Sequence, residues 1–469
     1  MHSRTFIRPV FCTLCRKEDA MSKQRIQLSD HFTYSRLLRF VLPCIGTMLF
    51  TSIYGIVDGL CVSNFVGKTA FAAVNLIMPL PMLLGTIGFM LGTGGSAIVG
   101  ITLGEGDQKK ADRYFTLFLL AALVSVSVLA VLGIVFLRPI AVLLGAKGEL
   151  LDYAVRYGRI LMVSLPTFAL QNMFQSFFVT AEKPHLGFWF TVGAGCTNMV
   201  LDVLMVGVWG WGVEGAAIAT FISQLVGGVL PVFYFIDRSN TSRLHLCQTK
   251  VYGGVLRDAC INGSSELMTN LSMSLVNILY NYQLLRLAGE NGVAAYGVIM
   301  YAAFLFVAVF VGYAVGSAPI VSFHYGARNH AEVHNLYRKS LRLIAVVAVT
   351  LTLASMFIIP CVARIFVGYD AELLALTSRA FRLYALSFLI MGFNVYASSF
   401  FTALGDGVTS ALISFLRTLA FQVIAILLLP MLLGIDGIWL AVTAAELAAL
   451  AVSAAMLLTK DKVFHYRKA

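Results

Sequence analysis

The sequence predicts an all-α membrane protein, with twelve transmembrane helices in two six-helix lobes related by an internal parallel repeat. Three observations predict it. Of 469 residues 59% are hydrophobic and only 12% charged, where an ordinary soluble domain carries about 25% charged residues. Apolar windows of about twenty residues, each long enough to cross a hydrocarbon core of about 30 Å as a helix, recur along the whole chain. Short words of the first half return in the second at a nearly constant offset, as a duplicated unit requires.

The windows run from 37 to 61, 70 to 102, 114 to 137, 158 to 181, 186 to 206 and 213 to 236, then 258 to 285, 293 to 323, 341 to 363, 381 to 403, 408 to 432 and 436 to 459. Residues 1 to 35 precede them as a cytoplasmic N-terminal segment that is expected to be disordered. Residues 1 to 20 lack the long apolar core of a secretory signal and read as an extension upstream of Met21, which opens the basic, polar lead-in MSKQRIQLSD. The second and eighth windows are too long for one untilted crossing, so they must tilt, kink at Pro79, Pro81 or Pro319, or project from the bilayer. The N-lobe is expected over 36 to 236 and the C-lobe over 258 to 460. A polar, basic connector joins them over 237 to 257, containing DRSNTSRLHLCQTK, and a tail follows over 461 to 469.

An even number of spans puts both termini on one side, and Lys and Arg say which side is cytoplasmic. With the N-terminus inside, and residues at the ends of a window counted with the segment they adjoin, 24 of the 34 basic residues fall on the cytoplasmic side and nine outside, leaving Arg417 deep within a span. The net charge of +11 therefore reads as topology and contact with anionic lipid rather than as a nucleic-acid surface.

AAVNLIM (72 to 78) returns as AAYGVIM (294 to 300), GGSAIVG (94 to 100) as GSAPIVS (316 to 322), and LGEGD (103 to 107) as YGARN (325 to 329), each 222 positions later. GVEG (212 to 215) meets GIDG (434 to 437) at the same offset, and SFF (176 to 178) meets SFF (399 to 401) one residue further on. Six spans per repeat insert both halves in one orientation, the plan of transporters that hold substrate between parallel repeats.

An ionisable side chain inside the bilayer costs several kcal/mol and by default faces a cavity or a partner. SIYGIVDGLCVSNFVG (52 to 67) holds one such carboxylate, Asp58. At 1.5 Å per residue, Asp58 of the first span lies in the outer half, as do Asn198 and Asp202 of the fifth, which share one helix face through their i, i+4 spacing. Thr220, early in the sixth span, shares that layer, and Asn172 of the fourth lies nearer the midplane. Two plainer readings compete. Asp58 and Asp202 are near enough to helix ends to meet water, and the amides and hydroxyl also serve as interhelical hydrogen-bonding groups.

In the second half Glu266, Arg417 and Glu446 lie near mid-span in the seventh, eleventh and twelfth windows and form a candidate cation or charge network. Its plainer reading is an Arg417–Glu446 pair that satisfies two buried charges, leaving Glu266 for a cation or proton. Among the aromatic and methionine residues, Phe168, Met173, Tyr280, Tyr301 and Tyr396 are candidates for an apolar, cation-π wall.

The eight cysteines are scattered and imply no disulfide framework. Cys12 and Cys15 have metal-ligand spacing but no second pair, so no metal is expected. GTGG (92 to 95) lies inside a span with no strand before it, so it reads as close helix packing rather than a phosphate loop.

From about residue 36 to 460 the chain resembles the multidrug and toxic compound extrusion (MATE) transporters, on the bacterial branch of small multidrug exporters. VDG in the first span with the following Gly67, NMVLD (198 to 202), GVEGAAIAT (212 to 220) and GIDGIWLA (434 to 441) carry the resemblance. It implies a V-shaped pair of lobes and antiport of organic cations and drugs against H⁺ or Na⁺, with no other cofactor. It also implies a coupling-ion site at Asp58, Asn172, Asn198, Asp202 and Thr220. Another branch of the family uses acidic residues of helices seven and ten, but here the tenth span offers no carboxylate. The resemblance is to a non-enzymatic protein of a bacterial plasma membrane, and a monomer is expected. The alternative function is a lipid-linked oligosaccharide flippase of the same superfamily, whose anionic cargo would favour several cavity Arg or Lys where only Arg417 is found. An intramembrane enzyme would want clustered metal-binding Asp or an embedded His, and His185 and His324 lie at span ends.

Overall fold

The computed structural model describes residues 26 to 467 apart from 67 and 369, and every regular element among them is helical. Cys12, Cys15, Gly67 and the first twenty residues lie outside the described residues. The first half comprises Tyr34–Phe65, then a second span broken before Pro79 into Lys68–Ile77 and Pro79–Gly104, then Gln108–Leu143 and Gly148–Thr180. Pro184–Asp202 follows and continues into a π turn, Val203–Val208, before a sixth span divided into Gly212–Gly228 and Leu230–Ile236.

Gly253–Asn262 and Ser264–Gly326 supply the seventh and eighth spans. As a single straight helix the 63 residues of Ser264–Gly326 would extend about 95 Å, three bilayer cores. Gly289, at φ 61° and ψ −151°, breaks it into two crossings. His330–Val367 is the ninth span, and Ala371–Ala385 with Phe388–Ala403, bent by 46°, the tenth. The eleventh is Gly407–Phe415, a π turn Leu416–Ala420 and Phe421–Leu433, and the twelfth Ile435–Thr459. By length and composition alone nine helices among the described residues, or ten with the bent pair, can cross a membrane. Dividing the long helix at Gly289 and adding Gly148–Thr180, which is less apolar because it buries Gln171, Asn172 and Ser176, brings the number to the expected twelve.

The internal repeat is visible in local chemistry. Asp107 and Asn329, mates at the 222-residue offset, are both N-caps, accepting from the amides of Lys110 at 3.0 Å and Glu332 at 3.2 Å. Each satisfies a donor that the first turn leaves open. The repeat axis passes where mates touch: a Cβ on Gly100 would stand 2.6 Å from the hydroxyl oxygen of its own mate, Ser322. Around it the contact is reciprocal, for a Cβ on Gly104 would collide with the Phe323 carbonyl and one on Gly326 with the carbonyl of Ile101, the mate of Phe323. Gly94, within the GTGG run, likewise packs on the backbone of Ala259 and Gly263.

These contacts lie at the end that carries the basic loops, and the cores follow the same division. One core there draws on both halves, with Phe118, Phe174 and Phe178 of the first joined to Tyr313, Phe323, Tyr396 and Phe400 of the second. At the opposite end the apolar clusters are separate, one built from residues 70 to 217 and another from 276 to 445. Two lobes that share a core at one end and part at the other form a V.

The expectation of disorder across residues 1 to 35 gives way from Ile26 onward. Leu28 and Phe32 are fully buried, and their amides donate to Glu182 of the first half at 2.9 Å and to Glu332 of the second at 2.8 Å. The connector joins the same strap: Arg243 pairs with Glu182 at 2.5 Å and lies 4.9 Å from the centre of the Phe323 ring.

Candidate functional site

The first-half cluster is built from three broken or irregular helices. Pro43 lies inside the first span, removing one main-chain donor, and Asp58 follows four turns later. In the fifth span Asp202 is the last α-helical residue before the π turn, an irregularity that recurs at functional positions. Asp58 comes within hydrogen-bonding reach of both Asn198 and Asp202, and the Asn198 amide nitrogen reaches the Thr220 hydroxyl at 3.5 Å. Asp202 is fully buried and Asn198 2% exposed, so the helix-end reading of Asp202 does not apply.

The cluster is short of donors. Asp58 Oδ1, both Asp202 carboxylate oxygens and Asn198 Oδ1 are buried with no hydrogen-bond partner among the described residues. Two adjoining carboxylates repel unless a proton or cation stands between them. The oxygens left open, from two carboxylates and a carboxamide, suit a hard cation as well as a proton. Asn172 is 6% exposed with its amide nitrogen unpartnered, and among the described residues no hydrogen bond links it to the other four. Tyr157, fully buried with an unpartnered hydroxyl, is close enough to act electrostatically on both carboxylates; nothing in the sequence singled it out.

A cavity of about 270 Å³ lies in the second half and reaches the lobe interface at Thr93, Ser96 and Ser176. Glu266, Arg417 and Glu446 all line it. Arg417 stands on the π turn Leu416–Ala420 and donates from Nε to both Glu446 oxygens, at 2.8 and 3.0 Å. Asn394 donates to Glu446 Oε2 at 2.7 Å and to its carbonyl at 2.9 Å, and Ser453 donates to Asn394 at 2.9 Å. Asn394 went unnoticed in the sequence, although the repeat offset pointed to it: it is the mate of Asn172, as Glu446 is of Gln224. Glu266 does not join the pair, and its carboxylate has no hydrogen bond or ion pair among the described residues.

The apolar wall includes Tyr280, stacked on Tyr296 with centroids 4.9 Å apart, and Met273, Met300 and Phe304. Of the five candidates for that wall only Tyr280 lines the cavity; Phe168, Met173, Tyr301 and Tyr396 do not. Met173 and Tyr396 are instead buried in the core shared by the lobes. Helical periodicity marks such residues as inward-facing without saying whether a neighbour or a void lies opposite.

The MatE family model matches residues 43–204 and 267–428, one stretch in each repeat. The multidrug export protein MepA of Staphylococcus saprophyticus is 21% identical over 436 residues, covering 92% of this chain and 95% of that protein. MepA of Staphylococcus aureus is 22% identical over 433 residues, with the same coverage. Among solved structures, an outward-facing conformation of a multidrug resistance MATE family transporter of the MOP superfamily matches with a TM-score of 0.88 at 22% identity, over 95% of this chain and 99% of that one. A MATE in complex with MaL6 matches with a TM-score of 0.87 at 22% identity, over 94% of this chain and 98% of that one.

Proposed function

From the premise that the chain belongs to the MatE family, the multidrug and toxic compound extrusion transporters, we propose that it is a secondary active antiporter. It exports organic cations and drugs from a bacterial cell in exchange for H⁺ or Na⁺. The observation that carries this reading is the donor-poor cluster of Asp58, Asn198 and Asp202. A proton or Na⁺ entering between the carboxylates relieves their repulsion, and the first span repacks about Pro43 in response. The second-half cavity holds the exported molecule, with Glu266 as its anionic contact and the aromatic residues as its apolar wall. The basic end is the cytoplasmic end, where both termini lie, so closure at the glycine contacts corresponds to a cavity facing outward. MepA, the multidrug exporter to which the chain is similar along nearly its whole length, supports the choice of cargo.

The test is ethidium movement in proteoliposomes under an imposed H⁺ gradient or an imposed Na⁺ gradient, with wild type beside Asp58→Asn. One gradient is expected to drive transport, and the variant to lose it while still folding. Full gradient-driven transport by Asp58→Asn would overturn the assignment.

A further inference from the structure

We propose that the free edge of the Arg417 guanidinium is an anion subsite in the second-half cavity, so that the preferred cargo is a zwitterion, a cationic amine and an acidic group on one amphipathic molecule. The inference rests on the export reading and narrows its substrate class.

The Arg417–Glu446 pair is neutral as a whole but oriented. The Glu446 side chain is 0% exposed and the Arg417 side chain 14%, so the carboxylate is the sealed end and the guanidinium the presented one. Glu446 is held there from behind by Asn394, itself fixed by Ser453. Arg417 commits only Nε to Glu446. Its two terminal nitrogens hydrogen-bond to nothing among the described residues, although a guanidinium offers five donors in a rigid fork suited to a carboxylate or phosphate. A pair that served only to neutralise two buried charges would turn the fork itself onto Glu446.

The surroundings fit an oxyanion. Ser414, one turn before Arg417, lines the cavity and is tied into a hydroxyl ladder with Ser398 at 2.9 Å and, through it, Ser410 at 2.8 Å. Gln422 lines the wall about one turn beyond. These groups donate to an anion, whereas a second cation here would meet the guanidinium and be repelled. Glu266, on the same cavity and unpaired, takes the amine. The two ends thus set the orientation of a bipolar molecule across the apolar wall.

The test uses an aromatic amine that carries a carboxylate and, beside it, the methyl ester of the same molecule. Wild type is expected to favour the acid over the ester in both equilibrium binding and transport. In Arg417→Gln combined with Glu446→Gln, which removes both charges and leaves neither buried alone, the acid-to-ester ratio is expected to fall about tenfold, the scale of a hydrogen bond to a charged group. Arg417→Lys keeps the charge and loses the fork, so an intermediate ratio is expected, and this variant serves if the double variant does not fold. A ratio unchanged in the variants, or a wild type that prefers the ester, would overturn the subsite. Binding of the two probes to purified protein reads the subsite with no gradient present. Binding that discriminates without transport would therefore count against the export reading while supporting the subsite.

Discussion

Alanine at Gly104 probes how the basic end closes. The added methyl would collide with the carbonyl oxygen of Phe323 and stand 2.7 Å from the amide nitrogen of Ala327. Both are backbone atoms of the opposite lobe and cannot swing aside. The second and eighth spans must separate by about 1 Å, at an overpacking cost of about 1–3 kcal/mol. The collision exists only while the spans touch at that end, so a state opened there escapes it. The equilibrium is therefore expected to shift toward the open state by about 5- to 150-fold. Spin labels at Glu105 and Arg328, exposed just beyond the two helix ends, would report this as a longer population in double electron resonance. By the repeat symmetry Gly326→Ala, which meets the Ile101 carbonyl, should act to a similar degree. Exchanging the pair on the axis, Gly100→Ser with Ser322→Gly, should restore the closed distance that Gly100→Ser alone disturbs. An unchanged distance distribution in a folded Gly104→Ala protein would refute the argument.

Truncating Arg417 alone, as Arg417→Met, strands Glu446 in the core and is expected to destabilise by about 3–5 kcal/mol, read as a lower melting temperature in detergent; adding Glu446→Leu should recover much of it. Glu266→Gln should raise the ethidium KM by weakening the contact with the cation, and an unchanged KM would remove Glu266 from the cavity's function. Glu182→Ala removes the acceptor that the Leu28 amide and the Arg243 guanidinium share and should increase spin-label separation at the basic end without moving the far ends of the lobes apart. Asp406 caps the eleventh span and pairs with Lys460 at 2.7 Å. Burial pushes its pKa up, but Lys460 and the hydroxyl and amide of Thr409 outweigh that and hold it below the ordinary 3.8. Its folded-state pKa is depressed, so its stabilisation is present above that ordinary value and is lost as pH falls through the folded pKa. The melting difference between wild type and Asp406→Asn should therefore shrink in strong acid and stay constant from pH 5 to 8.

Much of this protein is determined by its sequence alone. Apolar length makes spans because a bilayer leaves backbone groups no partner outside a helix, and a 222-residue echo makes two like units because equal segments fold alike. Depth along a helix is arithmetic, which is why Asp58, Asn198, Asp202 and Thr220 could be grouped before their side chains were seen together. The same echo leads from Asn172 to Asn394 and from Gln224 to Glu446.

What only the tertiary structure decides is azimuth, the direction each helix turns its polar residues, and azimuth depends on packing between spans far apart in sequence. It leaves Asn172 outside the hydrogen-bonded cluster, brings Tyr157 beside it, and turns Tyr280 to the cavity but Tyr396 to the core. It also separates Glu266 from the Arg417–Glu446 pair with which it shares a depth. The lead-in shows the same limit from the other side. Its polar composition reads as disorder, yet Leu28 and Phe32 find a shared core and Glu182 and Glu332 accept from their amides, partners about 150 and 300 positions away that no local pattern could supply.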